Sequence, residues 1–547
     1  MSLLIDLFGY LSIVLHGLTI VGQSLALGGA LFLVFLARPL GPRLGLAGAA
    51  IERDAMRITA WAALGLMLCE AATIGLQTAV LVGTIDLPIM EALGADFAIA
   101  GTVKIACAAV LIVAVRGRPP SALLLAIVLV ELAAATLTTH AAARLSGRAP
   151  LLLAEGLHQL GAAVWIGGIA CFLAALARLH EGGGWRLVGA RFSRMSMAGV
   201  ACILVSGVVM SLVYIGSWQG FYGTAYGVMV GAKIAMFLML LALGAGNFLL
   251  VERLRREPRT SVVRLKRFAE VEIGIGIGIF FAAASLTSVP PAIDLPQDRV
   301  SWQEIVARNT PEWPRLASPD HDALALPALQ QKLDTEAARR EAPPAAAFVP
   351  GSGELPPRNA ADIAWSEYNH HWAGLFVLAI GFFGLLNQAG ARWARHWPLL
   401  FLVMAGFLFL RADPEVWPLG QEGFFASLRD VEVLQHRMFV LLIVAFGQVE
   451  WRVRAGGLGY SRAALVFPLM SAVGGALLLT HSHAIANIHE QLLIELTHTP
   501  LALLAIVAGA SRWLELRLDP PGNRLAGWIW PVCFVLIAGL LLLYREA

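Results

Sequence analysis

Hydrophobic positions along this chain gather into long, nearly uninterrupted runs separated by short polar stretches. A run of about 17–25 apolar residues crosses a hydrocarbon layer as a helix, because backbone groups in lipid must be satisfied within their own segment. Fourteen such runs are predicted, the first eight near 10–36, 58–84, 98–115, 121–143, 151–177, 196–218, 228–250 and 269–289. The last six lie near 371–390, 397–411, 435–451, 464–481, 490–511 and 525–543. Residues 291–365 are the one long polar stretch and are rich in proline; within them 328–342 is expected to form a short helix. The pattern predicts an all-α polytopic membrane protein: about 14 transmembrane helices in two helical bundles joined by an extracytoplasmic loop. The expected division is 1–290, a loop or cap at 291–365, and 366–547.

Basic residues in the short loops set the orientation. Arg38, Arg43, Arg53 and Arg57 follow the first run; Arg178, Arg186, Arg191 and Arg194 follow the fifth; Arg253 to Arg267 carry seven more after the seventh. These alternating loops are placed in the cytoplasm, which puts both termini and the 291–365 loop outside. Arg144 and Arg148 stand on the wrong side of this pattern.

Composition agrees with a lipid solvent. Of 547 residues, 58% are apolar and 14% charged, against about 25% charged in a soluble protein, and the mean hydropathy is +0.72. A soluble enzyme, a nucleic-acid-binding domain and a secreted disulfide scaffold are excluded. The five cysteines stand singly in apolar runs and read as packing residues. No phosphate-binding GxxxxGK[ST] loop or covalent-haem CxxCH occurs. The first basic residue is Arg38, so the first run is expected to be retained as a span.

Given that orientation, the thirteen histidines fall almost entirely toward one side. His16, His140, His158, His370, His371, His436, His481, His483, His489 and His498 lie at or near outer ends of runs and His321 in the outer loop, leaving His180 and His396 in the cytoplasm. Ionisable groups are costly in a membrane and mark function there. Neutral imidazole is the commonest metal ligand and suits copper. Carboxylates join the pattern: Glu155/His158, Glu367/His370 and Glu495/His498 are spaced i, i+3, and Glu432/His436 i, i+4, each pair on one helix face. Glu70 and Glu131 are mid-run acids, candidates for an ion or proton path. Met195, Met197, Met236 and Met239 offer softer ligands further in.

Several strings carry a resemblance. They are THAAARLSGRAPLLLAEGLHQLGAAVWIGGIACFL (139–173), RFSRMSMAGVACILVSGVVMSLVYIGS (191–217), GTAYGVMVGAKIAMFLMLLALGAGNFLL (223–250) and ASLTSVPPA (284–292). With their ordered LH…AAVWIGG, SG, GTAYG…K and GN steps they resemble the CopD family of bacterial inner-membrane copper-resistance proteins. The resemblance covers about 150 residues. It implies an eight-helix unit, a role in moving or handling copper, a bacterial inner-membrane location with the outer loop in the periplasm, and a periplasmic copper carrier of the CopC type as partner. His140 and His158 are the candidate ligands it suggests. WSEYNHHWAG (365–374), EVLQHR (432–437) and THSHAIANIHE (480–490) resemble the extension of longer CopD-like proteins.

The expected function is copper transport or handling across the inner membrane, a transporter rather than an enzyme. Metal would be captured at a periplasm-facing site of His16, His140 and His158 with Glu155, and at a second set of His370, His371, His436, His481, His483 and His498. The alternative is a membrane oxidoreductase holding haem b between two of His436, His481, His483 and His498.

Overall fold

The computed structural model describes residues 7–85, 87–144, 147–179, 182–257, 259–319, 360–458, 462–480 and 488–545. Among them the regular elements are helices, with one isolated bridge between Val416 and Glu422. Eleven helices are long and apolar enough to cross a membrane; the first, Phe8–Ile85, contains both of the first two predicted runs, and two shorter apolar helices occupy Ser121–Thr136 and Arg462–Leu478. Every predicted run therefore falls on a helix, and the protein is an all-α polytopic membrane protein.

The chain divides into two compact units. The first holds Met1, Leu11–Ser217 and Lys233–Asp294; the second holds Ser2–Tyr10, Trp218–Ala232 and Leu295–Ala547. Helices of the first unit are α1 (Phe8–Phe32), α2 (Arg38–Ile85), α3 (Asp96–Ala114), α4 (Ser121–Thr136), α5 (Arg148–Ala162), α6 (Gly168–Arg178), α7 (Gly182–Tyr214), α8 (Ala225–Arg256) and α9 (Val263–Leu286). Within α1 the start up to Tyr10, and within α8 the stretch up to Ala232, group with the second unit. Those of the second unit are α10 (Ala360–Gln388), α11 (Leu399–Arg411), α12 (Val431–Arg454), α13 (Val466–Leu478), α14 (Ile488–Arg517) and α15 (Gly522–Leu542).

In the first unit α5 packs on α7, α2 on α3, and α4 on both α3 and α5. Two π-helical turns interrupt the ladder, Leu33–Ala37 after α1 and Ala163–Gly167 between α5 and α6. Such turns leave carbonyls in need of donors and often mark functional places. Arg191 Nε supplies one, donating to the Phe35 carbonyl at 2.8 Å. Near the second turn two backbones touch. A Cβ on Gly28 would lie 2.3 Å from the Ala163 carbonyl oxygen, and one on Gly167 only 1.8 Å from that of Ser24. Small residues permit this approach, which is how helices associate when lipid supplies no hydrophobic drive. The charge that broke the loop pattern is neutralised: Arg144 forms a two-pronged bond to Asp294 at 2.9 and 3.0 Å.

The second unit packs α15 against α10 and α14, α13 against α14, and α12 against α11 and α13. Its core is aromatic, built on fully buried Trp530, Phe401 and Phe467 with Trp397. The described part of the polar loop carries a short helix, Trp302–Arg308, that the sequence pattern did not suggest. It begins with a capping box in which Ser301 and Glu304 bond reciprocally, and Val300 and Ile305 pack with Leu492. The helix expected at 328–342 lies outside the described residues. The helix expected from 371 begins earlier, at Ala360.

Candidate metal-handling site

The first unit's site is built where α5 opens. His140, in a short helix just after α4, directs a ring N–H to the Leu286 carbonyl and has Glu155, Arg144 and Asp294 as charged neighbours. Its Nε2 is buried without a hydrogen-bond partner. With the ring proton on the other nitrogen, Nε2 would hold the lone pair, the arrangement typical of a ligating imidazole whose second nitrogen is tied to a carbonyl. The His140 ring lies 6.5 Å from that of Tyr214, edge to face. Within α5, His158 Nδ1 lies 3.1 Å from the Ser206 hydroxyl, which itself donates to the Cys202 carbonyl at 2.6 Å. With that hydroxyl proton spent on Cys202, the oxygen can accept from Nδ1–H, which would leave the His158 lone pair on Nε2; the Ile203 backbone is a further hydrogen-bond partner of this ring. The SG step of the sequence supplies this partner.

Glu155 precedes His158 by three residues on α5 and is a charged neighbour of His140. It accepts from Gln159 at 3.1 Å, and Gln23 of α1 donates to Gln159 at 3.0 Å. Lys233, the lysine of the GTAYG…K step, has Glu155 and His158 as its electrostatic neighbours. Sequence reasoning counted Lys233 only as part of a motif; its place amid an apolar run was the available signal. His16 lies elsewhere, with Lys104 as its charged neighbour.

Deeper still, three helices meet at one carboxylate. Trp165 of the second π-turn donates to Glu272 at 3.3 Å, and Asn247 of the GN step at 2.6 Å. Glu272, in α9, was not among the predicted site residues. It stands two residues before Gly274, at the start of the Gly-rich stretch of its run, and had no spacing partner in sequence.

In the second unit His370 and His498 come together, ring centroids 5.9 Å apart and nearly perpendicular. Each ring has its Nδ1 near the carbonyl four residues back, Ser366 at 2.8 Å and Ile494 at 3.1 Å. Tyr544 stacks on His370 at 3.8 Å. His371 is used differently: Nδ1 accepts the Arg315 backbone N–H at 2.7 Å and Nε2 bonds the Tyr544 carbonyl at 2.9 Å, so both nitrogens tether backbone. His436 turns to buried Asp413 at 2.7 Å. His481 and His483 lie outside the described residues. Of the four histidines considered for haem, the described two, His436 and His498, have different neighbours.

The residues of these carboxylate–histidine spacings meet other partners as well. Glu155 takes Gln159, Glu367 accepts from Arg315 at 3.1 Å, Glu495 from Thr499 at 3.0 Å, and His436 prefers Asp413. A shared helix face brings two side chains near, but a carboxylate takes the better donor within reach. Among the described residues no group of three His, Cys, Asp or Glu side chains forms a ready-made metal cage.

Comparison with known proteins bears on the first unit. Residues 186–286 match the family model described as Copper resistance protein D, CopD. Over this segment the chain is similar to the CopD family. The matched stretch spans α7 to α9 and contains Ser206, Lys233, Asn247 and Glu272. The chain is also similar to the Copper transport protein CutJ of Bacillus subtilis, 34% identical over 143 residues, which is 25% of this chain and 25% of the relative. The match thus spans about a quarter of that relative's length. No solved structure matches the chain.

Proposed function

We propose that the protein handles copper as cargo, taking it at the mouth of the first unit and passing it along α5. The observation that carries this reading is the buried Nε2 of His140, a lone pair with no protein partner beside Glu155. His158, on the same α5 as Glu155, provides the next imidazole. Two imidazoles with one carboxylate suit transit, because a transported ion must be bound well enough to enter and weakly enough to leave. Lys233 supplies the countercharge to Glu155 before the cation arrives. CopD kinship and the name of the CutJ relative favour copper over other first-row metals, and a periplasmic CopC-type carrier is the donor this reading calls for. His370 and His498 form a second imidazole pair that fits copper as well.

The test is the copper content and copper uptake of the full-length protein in detergent and in liposomes. His140→Ala with His158→Ala is expected to remove the bound copper and reduce uptake at least tenfold, while the protein still elutes as a folded species. Retention of copper and uptake in that variant would contradict the reading.

A further inference from the structure

Three helices of the first unit bring an unbalanced set of charges together away from the His140 site. Glu70 of α2 and Lys104 of α3 form a buried ion pair, each about 5% exposed. Gly101, one turn before Lys104, leaves room for the Glu70 carboxylate, whose Oε2 would lie 3.2 Å from a Cβ there. Glu131 of α4 is 1% exposed, and both its carboxylate oxygens are buried without a hydrogen-bond partner. Lys104 is its charged neighbour. Lys104 sits near the middle of a 19-residue apolar helix and Glu131 within a 16-residue one, so neither reaches water by extending past a helix end.

The arithmetic of charge decides the state of this group. Two carboxylates and one ammonium sum to one negative charge if all are ionised, and to zero if one carboxyl holds a proton. A lone buried charge costs several kcal/mol or more, whereas a neutral carboxyl costs far less. Glu70 already has the ammonium. Glu131 does not have a hydrogen bond to replace its water. We propose that Glu131 is an exchangeable proton-binding site within the first unit, its proton required by the Glu70–Lys104 pair beside it.

The groups that face this site are few. From α3 come Lys104 and Cys107, from α2 Glu70, and from α1 His16, whose charged neighbour is also Lys104. From α5, which packs on the other side of α4, Glu155 and His158 have Lys233 as their charged neighbour. His16 and Gln23 stand two turns apart on one face of α1, and Gln23 leads through Gln159 to Glu155. A cation at Glu155 would thus be joined by hydrogen bonds to the helix that also carries His16. That last link rests on the copper reading; the proton site itself does not.

The experiment needs no copper. Infrared difference spectra of the full-length protein in detergent read the C=O stretch of protonated carboxyls, identified by its shift on exchange into D2O. Glu131→Gln is expected to remove one carboxyl band present at neutral pH. Lys104→Met is expected to double the signal from this cluster, because both Glu70 and Glu131 must then carry protons. An unchanged spectrum in Glu131→Gln, or no gain in Lys104→Met, would overturn the proposal. If the bands behave as expected but copper content is insensitive to His140 and His158, the proton site stands and the copper reading falls.

Discussion

The two units bury charge in opposite ways. In the second unit, Glu450 is fully buried yet pairs with Arg454 at 2.6 Å and Arg512 at 2.9 Å, and Arg512 pairs with Glu515 at 2.7 Å. Gln388 and Trp530 add donors to Glu515, and the Arg454 guanidinium lies over the Trp397 ring at 5.0 Å. Two carboxylates meet two guanidiniums, so the charges cancel, although Glu450 Oε2, Arg454 Nη2 and Arg512 Nε are buried without a hydrogen-bond partner. In the first unit Glu131 is left over and the His140 Nε2 has no partner. A closed cluster holds helices in place; an open one holds something that comes and goes. On the proposed reading, the second unit's cluster is architecture and the first unit's open groups serve traffic.

The comparison breaks most sharply under substitution. Arg512→Ala removes a partner from Glu450 and Glu515 together and should destabilise the second unit by about 3–5 kcal/mol, read as unfolding in mixed micelles. Glu131→Gln removes no ion pair and should leave stability unchanged or raised. Equal losses in the two variants would erase the distinction between the clusters.

Two kinds of histidine sharpen it. His371→Ala cuts links to the Arg315 N–H and the Tyr544 carbonyl, at a cost of about 1–3 kcal/mol, with copper content unchanged. His140→Ala should do the reverse: little stability lost, copper lost. A smaller effect is expected at Glu272. Asn247→Ala and Trp165→Phe should each cost about 1 kcal/mol, and the double variant less than their sum, since both donors serve one carboxylate.

The smallest prediction concerns the loop after α11. Burial pushes Glu415 up to about 7 from the usual 4.5, with Asp413, Glu432 and Asp430 acting in the same direction and a backbone hydrogen bond against it. The folded turn therefore holds its proton more tightly than the open one. Its local stability is greatest below about 4.5 and falls as pH rises toward 7, then levels. Hydrogen-exchange protection of the Trp417 and Glu422 amides, which bond across this turn at 2.8 and 3.0 Å, should show that decline, and Glu415→Gln should flatten it.

The helices were legible because length and apolar composition alone decide what can cross lipid. The Trp302–Arg308 helix was not, being too short for periodicity to register. At the site, His140 and His158 were visible as costly groups in apolar runs. What the sequence lacked was direction. Spacing put Glu367 near His370, but Arg315, 52 residues upstream of Glu367, takes the carboxylate. His371 looked like a ligand until backbone groups from two distant segments were found on both nitrogens. Glu272 and Lys233 were hidden for the same reason, since their partners come from other helices. Long-range pairing is set by packing and leaves no local trace.

Copper-edge X-ray absorption on the copper-loaded full-length protein tests the central claim most directly. The account predicts imidazole scattering that falls sharply in the His140→Ala, His158→Ala protein and persists in His370→Ala, His498→Ala. Scattering that survives the first pair of changes and vanishes with the second would contradict it, and would move copper capture to the second unit.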